Sequence, residues 1–576
     1  MKIRLYWISV LWPGLIMAQS GFDLTGRVSL RIQSTGYDQD SEIRPDSIKA
    51  ADYGKTTLIP GLQQMLNISL FGRTNNLDLT FLADLKNNDW NKLEFSNFNS
   101  IPRLTLNLHW ADQELVAGDF FDSYGELFIL SREVRGGKYH LQLTDVWGKE
   151  SFLEVKMLGG IVQRGIAEGD RTNGLYKQFE TAGQYRRWMG AGIVKVGMKS
   201  YFDLTLNYLY GKDQESSIDT SLNIPLKNNV YGGATSVYFW DRNLRLFGEF
   251  YQSSKDTLNL SGVLDQAYYG GLDFRYRKFN MVVCYENIGA NYFTVGYPYL
   301  ENDKRGVKGQ LDYAFPKIIM LATDFELYKD NLAKKIYQPT ASTSIMNAGI
   351  TTLFSGWPEL TLRYGLRTDK SGSIPDQENQ PLKTNKTSTK IEGRLAFNFN
   401  RNRFALSAIK LDLDDKSLIG SALPLSTKQF ITSLNFYSTA IRNLFLTTGA
   451  VYSHLQLSND QKNANLYMYE TTRWDIVPRR LQLESTLTLI QNNASHGGTQ
   501  DVLSDYFAFL GEVSLEYFIN TQISFKIIIG TDTRQYQYTT DDAWQIISNP
   551  EYGPTYFNGF ESYKALIAGG EINWIF

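Results

Sequence analysis

The chain has 576 residues, of which 43% are hydrophobic and 20% charged, more than enough to bury a sizeable core. Lys and Arg total 58 against 60 Asp and Glu, a net charge of -2, which lacks the basic excess of a nucleic-acid partner. The single cysteine, Cys284, excludes an internal disulfide and a Cys-rich zinc site. Aromatic residues make up 14%, led by 35 Tyr, a bias of β-structure and of membrane-interface belts.

The first twenty residues read MKIRLYWISVLWPGLIMAQS. Lys2 and Arg4 precede an uncharged, mostly apolar run from Leu5 to Met17 that is too short to span a bilayer comfortably. Ala18 and Gln19 follow as the expected cleavage point, so residues 1–18 are expected to be a secretory signal peptide and residues 19–576 the mature domain. The competing reading is a membrane anchor. No cysteine follows the run, which excludes a lipoprotein. No later stretch offers the ~18 consecutive apolar residues of a membrane helix. A β-barrel stays open, because alternating strands average out in hydropathy.

Alternation begins at once. In FDLTGRVSLRIQ, Phe22, Leu24, Gly26, Val28, Leu30 and Ile32 share one face, and Asp23, Thr25, Arg27, Ser29 and Arg31 the other, a period of two. Leu104, Leu106, Leu108 and Trp110 repeat it against Thr105, Asn107 and His109. Ile391, Leu395, Phe397 and Phe399 do so again, as do Leu481, Leu483, Leu487 and Leu489. No convincing helix longer than two turns is present.

The connections sort into two classes. Short ones fall at Arg73-Thr74-Asn75, Asp241-Arg242, Arg277-Lys278, Trp357-Pro358, Asn400-Arg401-Asn402, Ile441-Arg442 and Asn520-Thr521. Long polar ones are expected at 34–61, 212–229, 253–265, 368–388, 491–504 and 532–562. Walking back from the C-terminus the classes alternate, as the short periplasmic turns and long external loops of outer-membrane barrels do. The expected fold is all-β: one transmembrane antiparallel β-barrel of about 26 strands, or 22 or 24 if the ambiguous segments 88–145 and 164–200 hold fewer. The first and last strands, Phe22–Gln33 and Ala565–Phe576, are expected to meet and close it.

The last strand, ALIAGGEINWIF, puts Leu566, Ala568, Gly570, Ile572, Trp574 and Phe576 on one apolar face, with Glu571 and Asn573 opposite. A terminal strand with an aromatic end resembles the signal read by the outer-membrane assembly machinery. Ile572, Trp574 and Phe576 are its expected carriers.

The segment ELVAGDFFDSYGELFILSREVRGGKY is similar to one near the start of large, poorly characterised outer-membrane β-barrels of Bacteroidetes-like Gram-negative bacteria. Gly118-Asp119-Phe120, Tyr124-Gly125-Glu126-Leu127 and Val134-Arg135-Gly136 carry the likeness. Those families have no agreed substrate, so the resemblance implies location and architecture but no reaction. The segment also breaks the alternation, placing Asp119, Asp122, Glu126, Arg132, Glu133 and Arg135 among Phe and Leu. It reads either as an inward loop constricting the lumen with mixed charge or as an external loop with paired charges. Width favours the first, since barrels of 16–18 strands already leave an aqueous channel.

Enzymatic chemistry finds no foothold. His109 lies on a polar face, His454 and its neighbour Ser453 point apart, and His140 and His496 show no obvious partner; a hydrolase needs a base within reach of a nucleophile or carboxylate. No metal-ligand spacing occurs. Asp38, Asp40 and Glu42 read as a solvated acidic loop, and Cys284 as a small strand residue. The Gly pairs precede no helix, so they form no phosphate loop; they suit bends in a closing sheet. No cofactor is expected. The leading functional expectation is a channel or transport/export barrel of undefined solute. The alternatives are a surface scaffold or adhesin with a filled lumen and a secreted soluble β-protein. The expected partners are outer-membrane lipid, the assembly machinery, and a solute or surface ligand.

Overall fold

The computed structural model describes residues 23–39, 61–87, 103–165, 183–218, 223–257, 260–315, 318–334, 339–352, 354–375, 381–419, 426–458, 462–496, 499–500, 506–536 and 563–576. The leader with Ala18 and Gln19, and Asp40 and Glu42, lie outside the described residues.

Twenty-six long strands alternate in direction around one closed sheet. They are β1 (Asp23–Gln39), β2 (Gly61–Arg73), β3 (Leu77–Asn87), β4 (Arg103–Trp110), β5 (Gln113–Tyr124), β6 (Ile129–Thr144), β7 (Ser151–Gln163), β8 (Arg186–Met198) and β9 (Phe202–Gln214). Next come β10 (Leu226–Phe239), β11 (Leu244–Thr257), β12 (Leu260–Tyr276), β13 (Phe279–Ile288), β14 (Lys304–Phe315), β15 (Ile319–Asp330), β16 (Ala341–Thr352), β17 (Glu359–Ser371) and β18 (Asn385–Phe399). The ring finishes with β19 (Asn402–Asp415), β20 (Thr427–Ser438), β21 (Leu444–Leu457), β22 (Lys462–Val477), β23 (Leu481–His496), β24 (Tyr506–Phe518), β25 (Ile523–Tyr536) and β26 (Tyr563–Ile575). Among the described residues the only helical turn is Glu215–Ser217.

Closure pairs β1 with β26, from Arg27 opposite Ile575 to Gln39 opposite Tyr563. Below that ladder Gly26 and Phe576 exchange two backbone hydrogen bonds of 2.9 and 3.0 Å. No sheet edge is left at this seam, the requirement for spanning lipid with strands. Inside it, the Arg27 guanidinium donates to Asn573 Oδ1 at 2.7 Å and Ser29 Oγ to Glu571 at 2.9 Å. The polar sides of the first and last strands thus face each other across the lumenal side of the seam.

β9 shows the two faces most clearly. Leu204, Leu206, Tyr208 and Tyr210 are exposed on the outside, whereas Asp203, Asn207, Leu209 and Asp213 are buried inside. Ile391, Leu395, Phe397 and Phe399 are likewise exposed, on the outer face of β18. An exposed apolar band around a closed sheet is stable only against hydrocarbon.

The short connections all stand where the turn residues predict, at the end of the barrel that carries the C-terminus. Several long loops are shorter than expected. Residues 253–265 are almost entirely strand: β11 and β12 pair as far as Thr257 opposite Leu260. Strand also continues to Gln39, Gln214, Ser371, His496 and Tyr536. Polar residues such as Ser253, Ser254 and Lys255 sit beyond the apolar band, where a strand needs only backbone pairing and polarity carries no penalty. Ile374–Pro375, Pro381–Lys383 and Leu418–Ile419 form a small separate sheet within these connections.

Candidate functional site: an inward hairpin and the pocket beside it

The ladder between β4 and β5 ends at Thr105 opposite Gly118, and the ladder between β6 and β7 reaches up only to Arg135 opposite Ile161. Beyond these points the two arms of the hairpin pair with no other strand, running from Phe120 opposite Val134 to Tyr124 opposite Ile129. The hairpin therefore leaves the wall. Glycine permits the departure. Gly118 has φ +104°, and a Cβ there would stand 1.9 Å from the Leu104 carbonyl oxygen. On the other arm Gly136 faces Gly160 so closely that a Cβ on Gly136 would lie 2.0 Å from the Gly159 oxygen.

The charged residues of the segment serve the bend. Asp119 accepts from Arg135 at 2.5 and 3.1 Å, a bidentate charged pair. The same carboxylate accepts the Leu104 backbone N–H at 2.8 Å, and Thr105 Oγ1 donates to the Asp119 carbonyl at 2.6 Å. Arg132 donates to the Val162 carbonyl at 2.7 Å. One backbone group of each strand left beside the departing hairpin, the Leu104 N–H of β4 and the Val162 carbonyl of β7, is thereby satisfied. Asp122 lies 3.7 Å from Lys138 and accepts the Tyr124 hydroxyl at 3.0 Å. Glu126 and Glu133 are exposed.

The underside and tip are apolar. Phe120 and Val134 join Val116, Leu158 and Met189 in one buried cluster, which also takes in Leu127, Phe128 and Ile129. Phe128 stacks on Tyr251 of β11, with ring centroids 5.2 Å apart and planes 13° off parallel. Glu249, also on β11, accepts the Glu126 N–H at 3.1 Å.

A second inward segment, 289–303 between β13 and β14, locks the tip. Tyr292 donates its hydroxyl to the Leu127 carbonyl at 2.8 Å, Thr294 to the Phe128 carbonyl at 2.9 Å, and the Leu130 N–H to the Gly296 carbonyl at 3.3 Å. Asn228 of β10 holds this segment in turn, donating to the Phe293 carbonyl at 2.9 Å and accepting the Val295 N–H at 3.0 Å. Burial, with Tyr251 and Glu249 close by, pushes the Tyr292 hydroxyl above the ordinary tyrosine range, so it stays a neutral donor. Sequence reasoning did not single out this segment. Its cue is the aromatic, apolar run YFTVGYPYL where a solvated connection would be polar.

Beside the tip lies a cavity of about 320 Å³ lined by Tyr124, Lys156, Lys195, Asp203, Arg245 and Glu249, among others. Lys195 is 3.6 Å from Asp203, and Lys156 is 2.5 Å from Glu154 while covering the Tyr124 ring at 4.5 Å. Arg245 donates to Ser236 at 3.1 Å and lies over the Phe247 ring at 4.8 Å. Three cations and three carboxylates, Glu154 among them, thus converge on one polar chamber inside the wall.

His140 corrects the sequence reading. It stands 3.1 Å from Glu154 and 3.8 Å from Glu114, partners on neighbouring strands that no local spacing reveals. His109 is exposed on β4, His454 shares the outward face of β21 with Tyr452, and the side chain of His496 lies outside the described residues. Among the described residues no cluster of His, Cys, Asp or Glu is arranged to hold a metal ion. Cys284 is buried and accepts the Tyr269 hydroxyl at 3.1 Å. At the C-terminus Ile572 is exposed on the outer face, and the Trp574 and Phe576 rings lie 4.8 Å apart.

A closed ring of 26 antiparallel strands with an apolar outside, a polar inside and short turns at the C-terminal end is an integral barrel of the Gram-negative outer membrane. No protein-family model and no curated protein matches the sequence. Solved structures similar to it include the siderophore receptor PirA from Pseudomonas aeruginosa, at 11% identity over 96% of this chain and 80% of that one, with a TM-score of 0.41. The copper transporter OprC matches at 10% identity over 96% and 80%, with a TM-score of 0.44. OmpT of Vibrio cholerae matches at 9% over 67% and 98%, with a TM-score of 0.26. None of these likenesses bears on what this chain carries.

Proposed function

We propose that the barrel is a transport channel for a small, charged solute, narrowed by the 119–134 hairpin. The observation that supports this most is the hairpin's anchorage, inside the lumen, to segment 289–303 and β11, beside a chamber lined by Lys156, Lys195, Arg245, Asp203, Glu154 and Glu249. In this reading Asp119, Asp122, Arg132 and Arg135 hold the constriction in place, while Glu126 and Glu133 present charge to the passing solute. A scaffold with a filled lumen would gain nothing from a polar chamber. We infer that residues 1–18 are removed on secretory export across the inner membrane, so that the mature protein begins at Gln19; N-terminal sequencing of protein from outer membranes checks this.

Planar-bilayer recording tests the channel. The intact protein is expected to give small, ion-selective steps. A variant with 119–134 replaced by a short Gly-Ser turn is expected to give steps several-fold larger, because wide barrels without a plug leave an aqueous bore. Absence of current from both proteins would overturn the transport reading.

A further inference from the structure

At the extracellular end, β13, β14 and β15 carry a cationic row on their outer face. Lys304 and Glu286 point inward and pair at 3.2 Å, so their chain neighbours Arg305 and Asn287 point to the outside. Asn287 stands opposite Arg305, and Arg305 directly opposite Lys329. Nearer the membrane the same face shows Tyr285, Val307 and Leu327 in register. Tyr285 stacks on Tyr268, with ring centroids 5.9 Å apart. Exposed tyrosines above an apolar row mark the headgroup level of a barrel. Arg305 and Lys329 therefore stand at the polar boundary of the outer leaflet. Lys334, in the connection from β15 to β16, joins them around a cavity of about 530 Å³ that Asn287, Asn331 and Thr340 also line.

We propose that this cavity binds a phosphate of the phosphorylated glycolipid in the outer leaflet of the outer membrane, holding one such lipid against the barrel wall. Like charges directly opposite each other weaken a strand pair, yet Arg305 and Lys329 are so placed. The acids close by are held elsewhere. Glu286, Glu301 and Glu326 surround Lys304. Asp303 accepts the Ala333 N–H at 3.0 Å and Asp330 the Ala341 N–H at 2.7 Å. Among the described residues no carboxylate forms an ion pair with Arg305, Lys329 or Lys334. Other lysines of the outer face are matched: Lys227 lies 3.8 Å from Asp256, and Lys410 2.7 Å from Asp412. The connection 331–340 itself contains two lysines and no acid. Three cations without an internal counter-charge complement a phosphorylated headgroup, as basic pockets at a leaflet boundary do. The apolar row beneath, with Leu327 48% exposed, lies where the acyl chains of the same molecule would run. That continuity selects a lipid over free phosphate as the occupant. This site is independent of what crosses the lumen.

Native mass spectrometry of the full-length barrel in a non-ionic detergent tests this, with bisphosphorylated lipid A as the probe. One lipid A is expected to remain bound when the micelle is stripped away. Each cation beside an anionic lipid is worth about fivefold in affinity, so Arg305→Gln, Lys329→Gln and Lys334→Gln combined are expected to weaken binding about a hundredfold. A Lys227→Gln, Lys410→Gln double variant removes two acid-paired lysines of the same outer face and is expected to bind as the unaltered protein does. Unheated gel mobility identifies any variant that has not closed. The unaltered barrel supplies a reading that needs no substitution: lipid A lacking both phosphates is expected to leave with the micelle. Equal retention of the phosphorylated and dephosphorylated lipids would overturn the proposal, as would undiminished binding by the triple variant. Equal weakening in both variants would also overturn it, by reducing the effect to unspecific surface charge. Lipid A that stays bound in an excess of inorganic phosphate supports the lipid as occupant, and its displacement would overturn that assignment in favour of a free anion.

Discussion

Tyr292 gives its hydroxyl hydrogen to the carbonyl oxygen of Leu127 at 2.8 Å, although the two stand 165 residues apart in the chain. Both are almost fully buried. The bond joins two inward connections of the barrel, and it satisfies a hairpin-tip carbonyl that water cannot reach. The narrow side of the lumen is therefore a packed, hydrogen-bonded core within the ring, built from the tops of two strand pairs.

Replacing Tyr292 by Phe keeps the ring and leaves the Leu127 carbonyl without this donor. An orphaned buried acceptor costs about 1–3 kcal/mol, and the loss falls on hairpin docking while the ladders stay intact. Hydrogen exchange at residues 126–130 is expected to quicken by about tenfold or more, with the heat-modifiable mobility of the barrel unchanged. Unaltered exchange at the tip would mean that the Tyr292 hydroxyl does not secure it.

Gly118→Ala tests the hinge. Ala at φ +104° is strained, at about 1–3 kcal/mol, and its Cβ would also meet the Leu104 oxygen at 1.9 Å. Gly262→Ala provides the comparison, since Gly262 has φ +67° with nothing within 4 Å of its Cβ position. The yield of folded barrel, read by unheated gel mobility, is expected to fall sharply for Gly118→Ala and only slightly for Gly262→Ala. Equal yields would show that the hairpin can leave the wall without glycine.

The architecture was legible because period-two alternation and turn residues are local properties. Phe397 and Phe399 announce an outer face, and Arg277-Lys278 announces a turn, with no help from the rest of the chain. Loop ends were misplaced where polar strand continues beyond the lipid, as at Ser253 and Ser254, since there polarity no longer distinguishes strand from loop. The broken rhythm at 118–136 pointed to an unusual segment. What it could not supply were partners set by closure of the ring: Asp119 on the Leu104 N–H, Phe128 on Tyr251, His140 between Glu114 and Glu154. Such contacts depend on which strands become neighbours and on how far a hairpin bends, and no spacing in the chain encodes that directly.

Leu206→Arg and Thr205→Arg compare the two faces at adjacent positions of β9. Leu206 is 61% exposed on the lipid side, and Thr205 lines the internal chamber. Arg on the lipid face near the bilayer midplane costs about 2–4 kcal/mol, whereas lumenal changes chiefly alter selectivity. Folding titrations in urea with lipid vesicles are expected to show the larger loss for Leu206→Arg, and bilayer recordings the larger shift in ion selectivity for Thr205→Arg. The reverse order would mean that the faces have been assigned the wrong way round.

Removal of Trp574, Ile575 and Phe576 strikes the seam. It takes away both Gly26–Phe576 backbone bonds, the pairings of Trp574 with Val28 and with Ile523, and the 2.6 Å bond from the Ile575 N–H to the Gln522 carbonyl. Two neighbouring strands, β1 and β25, then expose backbone groups at the base of the barrel, each at a cost of up to several kcal/mol where lipid replaces water. The same deletion removes the aromatic end that we propose the assembly machinery reads. Phe576→Ala separates these effects, because it keeps the backbone bonds to Gly26 and loses only the ring. Fractionation is expected to find the truncated chain in the periplasm with none accumulating in the outer membrane. Phe576→Ala is expected to reach the outer membrane at reduced level if the ring is part of the signal, and at full level if pairing alone matters. Normal outer-membrane accumulation of the truncated chain would show that neither closure at this seam nor the terminal aromatic residues are needed for assembly.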